Sequence, residues 1–167
     1  MKKSLKAHIT CLERELRMTD TDLGEMIKAS PVWRERDDLL QSVPGVGPVL
    51  LRTLLADSPE LGRLSHGEIA KLVGVAPLSR DPGTMRGRRF VQGGRATLRA
   101  VLYRAALVAT KRHAVIRAFH LRLLAAGKPK KHGRVACMRT LLTILNVMAR
   151  TAQVWAMNAI ASVLLPA

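Results

Sequence analysis

Aromatic side chains are scarce in this sequence: two Trp, one Tyr and two Phe among 167 residues. A core must therefore come from Leu, Val, Ala, Ile and Met, which favours packed helices over a β-sandwich. Cysteine is scarcer still. Cys11 and Cys137 stand alone and far apart, so neither a disulfide scaffold nor a cysteine metal site is expected, and the usage fits a reducing compartment. His8, His66, His113, His120 and His132 show no ligand spacing, so no metal and no cofactor are expected. There is no Walker motif and no Rossmann glycine pattern. The neighbouring acids Asp37 and Asp38 read most simply as surface charge on a short helix. Long apolar runs are also missing. The stretch Val154–Ala167 is too short to span a bilayer. The basic start, Met1-Lys2-Lys3-Ser4-Leu5-Lys6, is not followed by the apolar region of a signal peptide. A soluble, cytoplasmic protein with no membrane partner is the expectation.

The most informative absence is that of acid. The last carboxylate side chain is Asp81. Residues 1–81 hold twelve Lys/Arg and all twelve Asp/Glu, which cancel. Residues 82–167 hold sixteen Lys/Arg and no acid, so they carry the whole net charge of +16. Solubility alone does not require so one-sided a distribution. It fits a surface that meets a polyanion, and DNA is the first candidate partner.

The fold class expected is all-α: a coiled-coil-type helix, then a compact helical domain with one long basic loop. Residues 1–30 form the first part, 31–155 the domain and 156–167 an apolar tail. Leu5, Ile9, Leu12, Leu16, Leu23 and Met26 step by fours and threes, with Thr19 completing the register. That is a heptad seam over a helix at 4–29. The seam needs a partner. A coiled coil, which would make a homo-oligomer, and an amphipathic helix docked on the domain both satisfy it. Ser30-Pro31 then opens a second helix to Gln41. Further helices are expected from Val49 to Ala56, after the Ser65 cap to Val73, at 96–111, at 114–126 and from Arg134 to Arg150, the last resuming towards Leu165. The capping pattern at Ser65 and Glu68 marks the helix that Gly74 stops. Gly127 to Gly133 reads as a basic turn.

Two surfaces are candidates for binding. Leu39-Leu40 and Val43-Pro44-Gly45-Val46-Gly47, followed by Leu50-Leu51 and Leu54-Leu55-Ala56, have the pattern of a helix-hairpin-helix. Its glycines would allow positive φ and close backbone approach. Backbone N–H groups of Gly45, Val46 and Gly47, with the next helix's N-terminus, would face a phosphate, and Arg52 would add charge. A plain helical turn that uses its glycines for tightness is the alternative. The second surface is the Gly-, Pro- and Arg-rich stretch 75–95, an exposed loop with a short extended segment at Arg89–Gln92. Arg80, Arg86, Arg88 and Arg89 lie in it. Arg95 and Arg99 follow on the next helix, and with Arg112 they are spaced to share a stripe.

Several motifs together resemble one family. They are Ser42-Val43-Pro44-Gly45-Val46-Gly47-Pro48, Leu72-Val73-Gly74-Val75-Ala76-Pro77, the run Arg80 to Arg89, Gly93-Gly94-Arg95-Ala96, Leu98 to Tyr103, Ala136-Cys137-Met138-Arg139 and Leu142 to Asn146. In order and spacing they are similar to insertion-sequence transposases that join an N-terminal RuvC-like domain to a C-terminal transposase domain, relatives of the Piv invertases. The resemblance covers about residues 5–155, and the first helix looks like the family's linking coil. It implies an RNA-guided DNA recombinase, with metal-binding carboxylates on the RuvC-like domain and a serine nucleophile on the C-terminal one. On that basis the chain corresponds to the C-terminal portion only. The serine falls just before the glycine of the basic loop, where this sequence has Pro82. Proline has no hydroxyl, and Ser79, three residues upstream, is a poor substitute. The expectation is therefore a DNA-binding transposase fragment without a catalytic residue of its own, inactive alone. A free-standing regulatory protein that binds DNA or a structured guide RNA is the alternative.

Overall fold

The structure is a computed structural model that describes residues 2–78 and 90–155. Among these residues the fold is all-α, with seven helices and one isolated antiparallel bridge, Leu78 to Phe90. The loop residues 79–89 and the apolar tail 156–167 lie outside the described residues. So do Ser79, Arg80, Pro82, Arg86, Arg88 and Arg89, and the expected continuation of the last helix to Leu165. The chain divides into two compact units, Met1–Asp38 and Leu39–Ala167.

The first unit is dominated by α1, Lys2–Ala29, in which no residue is buried. Its seam residues Leu5, Ile9, Leu12, Leu16, Leu23 and Met26 are all exposed. Ser30 ends α1, and α2, Pro31–Gln41, begins with proline, whose missing N–H costs nothing in a first turn.

The second unit holds the core. It contains α3 (Pro48–Asp57), α4 (His66–Val73), α5 (Ala96–Arg112), α6 (Ala114–Ala125) and α7 (Lys130–Thr151). Local signals set the ends of these helices. Pro48 sits in the first turn of α3. Ser65 and Glu68 form a complete capping box on α4, and Gly74 ends that helix in the left-handed conformation. His113 separates α5 from α6 and caps the latter, its Nδ1 accepting the Ile116 N–H. The His113 ring also meets Trp155 edge-on at 4.5 Å, and burial pushes its pKa down, so it is a structural histidine.

Helices α5 and α7 form the centre, with α3 and α6 against α5 and with α4 and α6 against α7. The buried face of α5 is Leu98, Leu102, Ala105, Ala106 and Ala109. Its alanines let neighbouring backbones approach closely, while α3 contributes the buried Leu50, Leu51, Leu54 and Leu55. A fully buried leucine contributes roughly 1.5–3 kcal/mol. These two helices, with α7, therefore hold most of what stabilises the unit. One boundary differs from the sequence expectation. Helix α7 starts at Lys130, not Arg134, with Pro129 as its N-cap residue. Gly133, read as a turn residue, is buried inside the helix. A Cβ there would sit 3.3 Å from the His120 ring, so the glycine makes room for α6.

A buried polar residue ties a connection to this centre. Asn146 of α7 accepts the Gly62 N–H at 2.8 Å and donates to the Leu64 carbonyl at 2.9 Å. It holds residues 58–64, the segment that leads to α4. Asn146→Ala would leave the Gly62 N–H without its partner and the Leu64 carbonyl with Arg150 alone, at a cost of about 2–3 kcal/mol. For a chain of this size the melting temperature should fall by roughly 5–10 °C, read by circular dichroism. An unchanged melting temperature would mean that the segment is held by Arg150 alone, whose guanidinium also reaches Gly62 and Leu64.

Candidate nucleic-acid interface

The glycine turn between α2 and α3 has two faces. Gly45 has φ +97°, and a Cβ placed on it would lie 3.0 Å from the Ala109 backbone. This glycine lets the turn seat on α5, so packing accounts for its positive φ. Val46 packs against the core, and its N–H is already donated to the Val43 carbonyl. Gly47 is different. Its φ is −114°, which any residue adopts, and space is open around it. It stands at the N-terminus of α3, next to the exposed Val49. The unpaired N–H groups of a helix's first turn and its dipole favour an anion there.

One side chain that the sequence reading passed over faces the same place. Arg104 of α5 lines a shallow depression with Gly47, Val49, Val101 and Val108. A cation from one helix thus borders the N-terminus of another. Arg52 lies one turn into α3 and is half-buried. The signal for Arg104 was present in the sequence: the α5 core positions 98, 102, 105 and 109 define one stripe, and residue 104 lies off it.

Two arginines expected on the basic stripe are engaged elsewhere. Arg95 makes a bidentate pair with Glu60 at 2.8 and 2.9 Å and also donates to Ser58. Its hydrogen bonds hold the Glu60 carboxyl down at about 2, so the pair stays ionised at neutral pH. Arg99 donates to the Gly93 carbonyl. Arg95 therefore serves first to lock residues 58–60 to the start of α5.

The glycines upstream explain this arrangement. Gly74 and Gly94, both at positive φ, pack back to back: a Cβ on Gly94 would lie 2.4 Å from the Gly74 nitrogen. The Arg95 N–H donates to Leu72 across the same contact. Two motifs separated by twenty residues are thus one structural joint.

Beyond that joint, Leu78 and Phe90 exchange backbone hydrogen bonds at 2.8 and 3.2 Å, which brings together the two ends of the basic loop. Beside them lies a cleft of about 890 Å³, bounded by Val75, Phe90 and Val91 on one side and by α7 on the other. Lys131, His132 and Arg139 stand on its α7 wall. The sequence offered none of these three as a binding residue, although Arg139 belongs to the Ala136–Arg139 motif and Lys131 and His132 to the basic stretch after Gly127.

No group of His, Cys, Asp or Glu among the described residues could hold a metal ion, and no helix is long and apolar enough to cross a membrane. Burial pushes the Cys137 thiol up to about 11, which leaves it an inert core residue.

Known proteins with similar sequences match most of this region. A sequence model of the transposase IS116/IS110/IS902 family matches residues 37–121. The chain is 30% identical over 137 residues to the pilin gene-inverting protein of Moraxella bovis, which is 78% of this chain and 42% of that protein. The Moraxella lacunata pilin gene-inverting protein matches over the same shares at the same identity. An insertion element IS116 uncharacterized 44.8 kDa protein of Streptomyces clavuligerus is 26% identical over 148 residues, 87% of this chain and 36% of that protein. The chain thus spans less than half the length of the curated relatives it matches.

Proposed function

Because the chain belongs to the transposase IS116/IS110/IS902 family, we propose that its second unit is a DNA-binding module acting in DNA transposition or site-specific recombination. The observation that carries this reading is the acid-free run of residues 82–167, which holds all of the net positive charge and includes α5, α6 and α7. The N-terminus of α3 and Arg104 together offer a phosphate seat on the same unit. Such contacts position a duplex without reading its sequence. The heptad face of α1, exposed along its length, is suited to pairing with a second copy, and that pairing would present two modules to one DNA.

The reading assigns binding, and not strand transfer, to this chain. Pro82 occupies the position at which the resemblance expects a serine. A pyrrolidine ring has no oxygen to attack a phosphodiester.

Arg104→Gln tests the phosphate seat. Arg104 is exposed, so the substitution should leave the melting temperature unchanged. A charge-assisted hydrogen bond is worth about 1.5–3 kcal/mol, so duplex affinity should fall roughly tenfold, as read by fluorescence anisotropy. Unchanged affinity in a folded variant would remove Arg104 and the α3 N-terminus from the interface. Tighter binding of a structured RNA than of duplex DNA at matched salt would favour the guide-RNA alternative.

A further inference from the structure

The cleft beside Phe90 has a composition that backbone-phosphate binding does not explain. Its walls are largely apolar, with Val75, Val91 and Val135 among them, yet Lys131 and Arg139 stand at the same site. Phe90 is 53% exposed. The other aromatic side chains described in this unit are engaged: Tyr103 accepts from Arg134, Phe119 lies under Arg122, and Trp155 meets His113. Phe90 thus presents an exposed ring at a basic cleft, on a backbone held by its paired hydrogen bonds with Leu78. Among the described residues Arg139 has no acidic partner, and no carboxylate lies on the cleft wall. The first turn of α7, which carries Lys131, adds its unpaired N–H groups to the same positive end.

A flat apolar ring with cations beside it recognises a base attached to a phosphate. Stacking needs a base whose face is open, and a base inside a duplex has none to offer. The cleft volume falls in the range that encloses a small organic ligand. We propose that this cleft takes an unpaired nucleotide of single-stranded DNA, its base on the Phe90 ring and its flanking phosphates on Lys131 and Arg139. This deepens the DNA-binding reading and rests on it. DNA is assigned over RNA because the family is one of transposases, which by name act on DNA.

The test compares a fluorescein-labelled oligo-dT with a duplex of the same length at matched salt, using the full chain. Phe90→Ala should weaken oligo-dT binding roughly tenfold and change duplex binding less than about twofold. Phe90→Trp should keep the single-strand affinity, because it keeps a ring, and Arg139→Gln should reduce it. Phe90 is exposed, so its variants should melt as the parent does; if Phe90→Ala does not, Phe90→Leu, which fills the same space without a π face, takes its place and should show the same loss. Wild-type affinity for oligo-dT in Phe90→Ala, or an equal loss on the duplex, would overturn the proposal. Duplex binding with no oligo-dT binding by the parent would sink the cleft alone. Binding of neither would sink the DNA-binding reading as well. Tighter, Phe90-dependent binding of oligo-rU would overturn the assignment to DNA.

Discussion

Between about 50 and 200 mM salt, duplex affinity for this chain should fall by roughly three orders of magnitude. The expectation follows from counting cations. Residues 82–167 carry sixteen Lys/Arg and no acid. Some of these are committed: Arg95 to Glu60, Arg134 to Tyr103 and Arg150 to backbone carbonyls. Others are exposed, among them Arg104, Lys111, Arg112, Lys128, Lys130 and Lys131. If about six reach phosphates, each displaces a condensed counterion, and the slope of log affinity against log salt is near −5. The charges of residues 1–81 sum to zero, so they do not offset this. Anisotropy of a labelled duplex across a salt series reads the slope directly. A flat response would mean that the basic half does not meet phosphate, and the DNA-binding reading would fall with it. A slope near −1 or −2 would restrict the contact to a seat such as that at Arg104.

The helices were legible because their ends carry local chemistry. Pro48, the Ser65 and Glu68 box and Gly74 each act within one turn, and each works in the structure as the sequence suggests. The start of α7 was not legible, because Gly133 carries two opposite meanings. In isolation a glycine between basic residues reads as a turn. In the fold it is the small residue that α6 requires, and only the approach of His120 reveals that. The ion pair of Arg95 was not legible for a similar reason. Its partner Glu60 lies thirty-five residues upstream, and no spacing rule joins the two. The cleft was invisible in sequence because its walls come from the Gly74 joint, the Leu78–Phe90 bridge and α7. Phe90 was quoted by no motif, and its exposure is a property of the bridge that presents it.

Gly45→Ala should unfold the second unit at a temperature lower by roughly 10 °C, while Gly47→Ala should leave the melting temperature within a few degrees. The two glycines stand two residues apart and look equivalent in the motif. Their backbones are not. Gly45 at φ +97° lies where an L side chain is strained by about 1–2 kcal/mol. Its added methyl would also press on the Ala109 backbone at 3.0 Å, and overpacking against a helix that cannot retreat costs about 1–3 kcal/mol more. Gly47 at φ −114° accepts a methyl group that meets nothing within 4 Å. Any effect of Gly47→Ala on DNA binding is therefore an effect on the ligand. A methyl group at the N-terminus of α3 crowds a phosphate approaching the backbone there. Loss of one such charge-assisted hydrogen bond should weaken duplex binding roughly tenfold. Thermal melting and anisotropy on the same two variants separate the possibilities. A folded Gly47→Ala variant with parental duplex affinity would leave the turn a structural hinge, with Gly45 seating it on α5 and no phosphate at its open face. A Gly45→Ala variant that melts like the parent would show that α5 yields to the turn. The close approach at Ala109 would then no longer account for the glycine.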